Sequence, residues 1–124
     1  MPKTKVFISY DYDHDRQLKE TLVGQAKLPD SPFSVADISI RTELLNWQQE
    51  ARKAIAACDV FVVLLGDNTH QARGVRREAK MAQDLGKRRF QLRKQGHWPK
   101  PVYGAGKVVA WKWKNLKQRL SKPD

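Results

Sequence analysis

Six consecutive apolar residues, Val60-Phe61-Val62-Val63-Leu64-Leu65, stand between Asp59 and Gly66. A run this short cannot span a bilayer, which takes about 20 residues. Nor does it alternate, as a strand with one wet face would. It reads as a central parallel strand covered on both faces. Such a strand requires helical layers on both sides of a sheet, and the rest of the chain supplies candidates for them.

Val6-Phe7-Ile8-Ser9-Tyr10 is a short, β-prone run ending at Asp11 and reads as a buried strand. Asp13 or Asp15 is placed to cap the next helix, in which Leu18, Leu22 and Ala26 recur at helical spacing. Leu28-Pro29-Asp30-Ser31-Pro32 breaks that helix, because two prolines cannot continue it. Phe33 to Ile38 reads as a second strand. Asn46 and Gln49 have the spacing of a capping box. Trp47, Ala51, Ala54, Ile55 and Cys58 then form one face of a helix.

After the apolar run comes a polar loop, Asp67 to His70, and a helix with Val75, Ala79, Ala82 and Leu85 inward, ended by Gly86. Arg89-Phe90-Gln91-Leu92-Arg93 alternates and suits a sheet-edge strand. Lys94 to Gly106 reads as loop, Val108 to Trp111 as a last strand, and Asn115 to Leu120 as a short helix. The order implies an α/β chain with a flavodoxin-like, three-layer, doubly wound parallel sheet of about five strands. One domain over residues 1–124 is expected at this length. Residues 93–124 would complete the sheet and add a short helix.

The charge is uneven. Residues 1–62 carry 8 Lys/Arg against 9 Asp/Glu, and residues 63–124 carry 16 against 4. This asymmetry points to a polyanionic partner on one side of the molecule. The single cysteine excludes an intrachain disulfide framework. Cys58, on an apolar face, is expected to be an inert core thiol. The amino-terminal residues lack the apolar core of a signal peptide, so a cytoplasmic protein with no membrane contact is expected.

Several chemistries lack their motif. No G-x-G-x-x-G follows the first strand, which removes the dinucleotide fingerprint. Gly104-Ala105-Gly106-Lys107 superficially resembles a phosphate loop, but Pro101 occupies the required glycine position. His14, His70 and His97 have no metal-ligand spacing with each other or with Cys58, so no metal is expected. In doubly wound sheets, ligands bind beyond the carboxyl ends of the strands near the switch point. That rule selects Ser9 to Asp13, Asp37 to Trp47 and Asp67 to Glu78.

Lys5-Val6-Phe7-Ile8-Ser9-Tyr10-Asp11-Tyr12-Asp13-His14-Asp15-Arg16 resembles the opening of the TIR-like proteins of the Thoeris antiphage defence system. The resemblance continues in Leu22-Val23-Gly24-Gln25-Ala26-Lys27 and Asp30-Ser31-Pro32-Phe33. It runs on through Trp47, Ala51-Arg52, Ile55, Cys58-Asp59-Val60, Val63-Leu64-Leu65-Gly66, Thr69 and Val75 with Glu78. It spans roughly residues 3–92, in order, and fades beyond Arg93.

The resemblance implies a TIR-like enzyme that consumes NAD as substrate, with no permanently bound cofactor. Family members cleave the nicotinamide–ribose bond and convert ADP-ribose into a signal, often cyclic, sensed by a separate effector protein. A phage-derived trigger and a homo-oligomer belong to the same expectation. Glu78 carries over as the catalytic residue. Ser9, Tyr10, Asp11, Asp37, Trp47, His70, Arg76 and Arg77 are the candidate NAD contacts. One departure stands out: family sequences often have tryptophan four residues before the glutamate, and here that residue is Gly74.

The chemistry is coherent on general grounds. Nicotinamide departs neutral and needs no proton, so the difficulty lies in the oxocarbenium-like ribose. One fixed carboxylate can stabilise that charge, while Arg73, Arg76 and Arg77 lie near enough in sequence to pair with a pyrophosphate. Plainer roles are open for each residue. Glu78 can be a solvated helix charge among arginines, Asp11 and Asp13 turn formers, and Tyr10 and Trp47 core. Two other functions stand beside catalysis: a non-catalytic TIR-like assembly module, and nucleic-acid binding by the tail. In that tail Trp98, Tyr103, Trp111 and Trp113 interleave with lysines. No RRM, KH or helix-turn-helix signature supports the last, which makes nucleic acid the least favoured partner.

Overall fold

The computed structural model describes residues 3–38 and 46–121, with Asp37 and Ile38 through their backbone alone. Five strands, β1 (Thr4–Ser9), β2 (Phe33–Ile38), β3 (Val60–Leu65), β4 (Arg88–Arg93) and β5 (Lys107–Ala110), form one sheet in the order β2-β1-β3-β4-β5. Every pairing is parallel. Four helices accompany them: α1 (Arg16–Ala26), α2 (Trp47–Ala57), α3 (Arg73–Asp84) and α4 (Trp113–Leu120), with a 3-10 turn at Thr69–Gln71. This is the flavodoxin-like α/β architecture, and the strand order reverses between β1 and β3.

The apolar run sits where its composition demands. All six residues of β3 are buried. Val60, Val62 and Leu64 face one layer, with Leu18 and Leu22 of α1 and Leu116 and Leu120 of α4. Phe61, Val63 and Leu65 face the other, with Ile55 of α2 and Val75, Ala79 and Ala82 of α3. Phe7 and Phe61 stack in that second layer with centroids 5.6 Å apart. Burying such a Phe or Leu contributes roughly 1.5–3 kcal/mol, so the two layers hold the sheet from both sides. Cys58 lies at the α2 terminus, 2% exposed, and burial pushes its thiol above the usual range.

Two local expectations are corrected. Neither Asp15 nor Asn46 makes a side-chain cap bond to the helix it precedes, so the capping box at Asn46 and Gln49 does not form. Gly86, by contrast, ends α3 at φ 66°, the left-handed conformation that glycine adopts without a Cβ clash.

The second correction concerns β4, which is interior, between β3 and β5, rather than an edge. Its alternation reflects how the β4–β5 connection is made. Residues 94–106 contain no helix and lay Val102 and Ala105 on the α2/α3 side of the sheet. Gln91, 1% exposed, clasps this segment. Its amide nitrogen donates to the carbonyls of Val102 at 3.1 Å and Gly106 at 2.8 Å, and its oxygen accepts the Val102 N–H at 2.7 Å. The polar position in the strand thus satisfies backbone groups that a helix would have satisfied internally.

Replacing Gln91 by Leu orphans those groups while keeping similar bulk. Equilibrium urea unfolding should show a loss of about 3 kcal/mol, the cost of more than one unsatisfied buried group. A change below about 0.5 kcal/mol, the usual range for surface substitutions, would mean the clasp contributes nothing.

Candidate active site

Side chains along a strand alternate between faces, and this parity divides the end of β1. Ser9, fully buried, points into the α2/α3 layer, whereas Tyr10 belongs to the α1/α4 layer with Val6 and Ile8. On α3 the inward stripe is Val75, Glu78, Ala79 and Ala82, so a carboxylate replaces an apolar residue in a packed face. Glu78 is 1% exposed and Ser9 Oγ donates to its Oε1 at 2.7 Å. A buried carboxylate is costly unless hydrogen-bonded, and the Ser9 hydroxyl supplies such a bond across 69 residues of sequence. The reading of Glu78 as a solvated helix charge is thereby excluded.

Trp47 opens α2 and is buried, with the Arg77 guanidinium 5.6 Å from its ring centroid. Ser9, Glu78, Arg77 and Trp47 are therefore linked through α3. Arg76, one residue before Arg77, is exposed. Tyr10 is separated from this group by the sheet, packs near Tyr12 with centroids 6.2 Å apart, and has its phenol pushed up by burial. Asp37 lies opposite Phe7 in the β1–β2 register; its side chain falls outside the described residues, as do residues 39–45.

The β1–α1 loop is organised by two other acids. Asp11 Oδ1 accepts the Asp13 N–H at 3.1 Å, and its Oδ2 lies 2.7 Å from His14 Nδ1. These are turn-forming bonds, and the Asp11 partner holds the His14 imidazole above its ordinary value of 6.5. Asp15 reaches across to the loop after β3, where its Oδ2 accepts from Thr69 Oγ1 at 2.9 Å; that hydroxyl in turn accepts the Gly66 N–H at 2.7 Å. Burial raises the Asp15 carboxyl, with the Thr69 bond opposing. Gly66 leaves room for this bridge, because a Cβ there would displace the Asp15 carboxylate. His70 follows in the 3-10 turn, half-buried, its Nδ1 without a hydrogen-bond partner among the described residues.

Sequence reasoning missed the Asp15–Thr69–Gly66 bridge and a second tie at the same end of the sheet. His97 Nε2 lies 2.6 Å from Asp67 Oδ1, and the Arg93 guanidinium covers the Trp98 ring at 4.6 Å. Neither the Asp15–Thr69 bond nor the His97–Asp67 contact leaves a signature in spacing, since their partners lie 54 and 30 residues apart. Among the described residues, no group of three His, Cys, Asp or Glu is placed to hold a metal ion. No helix among them is long and apolar enough to cross a membrane. The arrangement can present one buried carboxylate and a cationic edge beside the switch point.

Comparisons with known proteins agree with this architecture. The family model for the Thoeris protein ThsB, TIR-like domain, matches residues 7–96. Among solved structures, the Clostridium botulinum CMP N-glycosidase BcmB superimposes with a TM-score of 0.55 at 16% identity, covering 92% of this chain and 96% of that one. That likeness is one of fold. No curated protein matches the sequence.

Two outcomes follow from the loop geometry. Thr69→Val removes the hydroxyl that joins Asp15 to Gly66 and should cost about 2 kcal/mol in urea unfolding; an unchanged midpoint would remove the bridge from the account. The His14 ring, followed by NMR, should titrate above 6.5, and Asp11→Asn should return it there. Because the shift is upward, the His14–Asp11 pairing is complete below 6.5 and is lost as pH rises through the elevated value.

Proposed function

The chain belongs to the Thoeris ThsB TIR-like domain family, and on that premise we propose that it cleaves the nicotinamide–ribose bond of NAD with Glu78 as its catalytic carboxylate. The observation that carries this reading is the buried Glu78, anchored by the Ser9 hydroxyl at 2.7 Å beside the β1–β3 switch point.

Bond cleavage places positive charge on the ribose ring carbon and its oxygen as nicotinamide leaves neutral. A carboxylate fixed before the reaction stabilises that charge without reorganising. Ser9 donates to one oxygen and sets the plane of the group. Arg77 is held against Trp47 and offers an N–H fork suited to pyrophosphate oxygens, with Arg76 beside it. Trp47 and His70 are the remaining groups we assign to the nucleotide. At Gly74 this chain lacks the aromatic side chain that family members often use. Asp11 is assigned to shaping the loop beside the site, and Tyr10, in the opposite layer, to core packing rather than to the ribose.

On the same reading the ADP-ribose moiety becomes a small signal for a separate effector protein, after a phage-derived trigger and in a homo-oligomeric enzyme. The protein acts in the cytoplasm, where its substrate is abundant.

Nucleotide extracts from phage-challenged cells test the proposal in the working system. Wild type should release nicotinamide and accumulate an ADP-ribose derivative, and Glu78→Gln should lower both by at least about 100-fold with its circular dichroism unchanged. Ser9→Ala should lower release by about tenfold, the loss of one hydrogen bond to a charged group. Equal profiles for wild type and Glu78→Gln would overturn the catalytic assignment. Release of cytosine from CMP with NAD untouched would move the same carboxylate to another N-glycoside and overturn the choice of substrate.

A further inference from the structure

At the amino ends of the strands, away from the Ser9–Glu78 pair, β3, β4 and α4 line an open cleft of about 700 Å³. This volume lies within the roughly 300–1,000 Å³ typical of small-molecule sites. Val60 and Phe90 contribute its apolar lining, and Lys87, Arg88, Arg89 and Arg119 are its basic residues; no acidic residue among the described ones lines it.

Among the described residues, these four side chains are held by neutral groups. Lys87 Nζ donates to the carbonyls of Ala56 at 2.8 Å and Cys58 at 2.7 Å. Arg88 donates to the Arg119 carbonyl at 2.7 Å, and Arg89 to those of Gly104 at 2.7 Å and Lys87 at 2.9 Å. The Arg119 guanidinium lies 5.9 Å from the Phe90 ring centroid. Carbonyl dipoles orient the side chains without cancelling their charge; strand parity puts Arg88 on the α4 side with Arg119 and Phe90, and Arg89 on the opposite face with Gly104, so the Arg88–Arg119 pair faces the cleft beside α4. Their mutual repulsion weakens the empty state and is relieved by a ligand of opposite sign. Arginine has five N–H donors in a planar fork, and Arg88 and Arg89 spend one and two of them on these carbonyls. The remainder suits the tetrahedral oxygens of phosphate, which arginine grips bidentately.

We infer that this amino-end cleft is a second site, for a small molecule bearing a polyphosphate group, distinct from the candidate active site. A terminal phosphate carries about −1.5 to −2 near neutral pH, opposite in sign to the cations that line the cleft. A cleft of this size admits a nucleotide-sized anion, whereas a nucleic-acid backbone needs an extended basic track.

Inorganic tripolyphosphate and ATP are the probes, titrated into wild type by calorimetry at about 0.15 M salt, where exposed charges are screened. Both should bind, and Arg88→Gln/Arg119→Gln should weaken each at least about tenfold. ATP equal to tripolyphosphate marks the phosphates as the recognised part, and tighter ATP adds a contact from the nucleoside; either supports the site. Amide shifts in wild type provide a readout independent of any variant's folding: residues 87–90 and 116–120 should move on titration. The Glu78→Gln protein should bind as wild type does, so loss of catalysis leaves this result intact. Shifts confined to residues 73–78, unchanged affinity in the double variant, or binding of a single-stranded oligonucleotide without tripolyphosphate would each overturn the inference.

Discussion

Coverage of β1 and β3 on both faces is the constraint from which the rest of this fold follows. A strand with no wet face must send each side chain into one of two packed layers, and parity decides which. The same rule that places Phe7 against Phe61 carries Ser9 into the layer of α3. Tyr10, one residue on, enters the opposite layer. A polar residue delivered into such a layer needs a partner there, and Ser9 and Glu78 satisfy each other. The buried acid is therefore not an accident of the helix surface; it is held at the carboxyl end of β1, where Ser9 lies in register with Val63 of β3.

The fold was largely legible because its signals are local. Val60 to Leu65 announced a doubly covered strand, the two prolines at positions 29 and 32 ended α1, and the stripe from Trp47 to Ile55 marked α2. What escaped notice depends on partners far away in sequence. Arg88 to Arg93 alternates like an edge strand, yet Gln91 answers to the backbone of Val102 and Gly106 inside the sheet. Asn46 and Asp15 have cap-forming side chains and no cap bonds; Asp15 has a different engagement, with Thr69, 54 residues on. At the candidate site, Glu78 came from family resemblance, because periodicity alone would have left it on a solvated face. Its burial and its serine partner needed the three-dimensional arrangement.

The uneven charge has a divided explanation. Arg76 and Arg77 sit on the helix that carries Glu78, whereas Lys87, Arg88, Arg89 and Arg119 gather at the other end of the sheet. Two basic regions at opposite ends of the sheet do not form one continuous electrostatic track. Of the aromatic residues interleaved with lysine in the tail, Trp111 and Trp113 have indole N–H groups committed to Gln25 and Asp30. Those rings tie the tail to α1 and the turn after it, which leaves Trp98 and Tyr103 as the exposed ones.

The helix-free passage from β4 to β5 has a consequence for how the molecule is made. Leu116 and Leu120 of α4 cover the same face of the sheet as Leu18 and Leu22 of α1, although nearly a hundred residues of chain separate them. During synthesis, that face stays half uncovered until the final helix emerges. The passage leading to it has no helical turn of its own to form early. Closure thus awaits long-range contacts, which are slow to find. A ribosome pausing within residues 94–106 would present an open apolar layer to the cell, making that interval the one in which a chaperone has the most to protect.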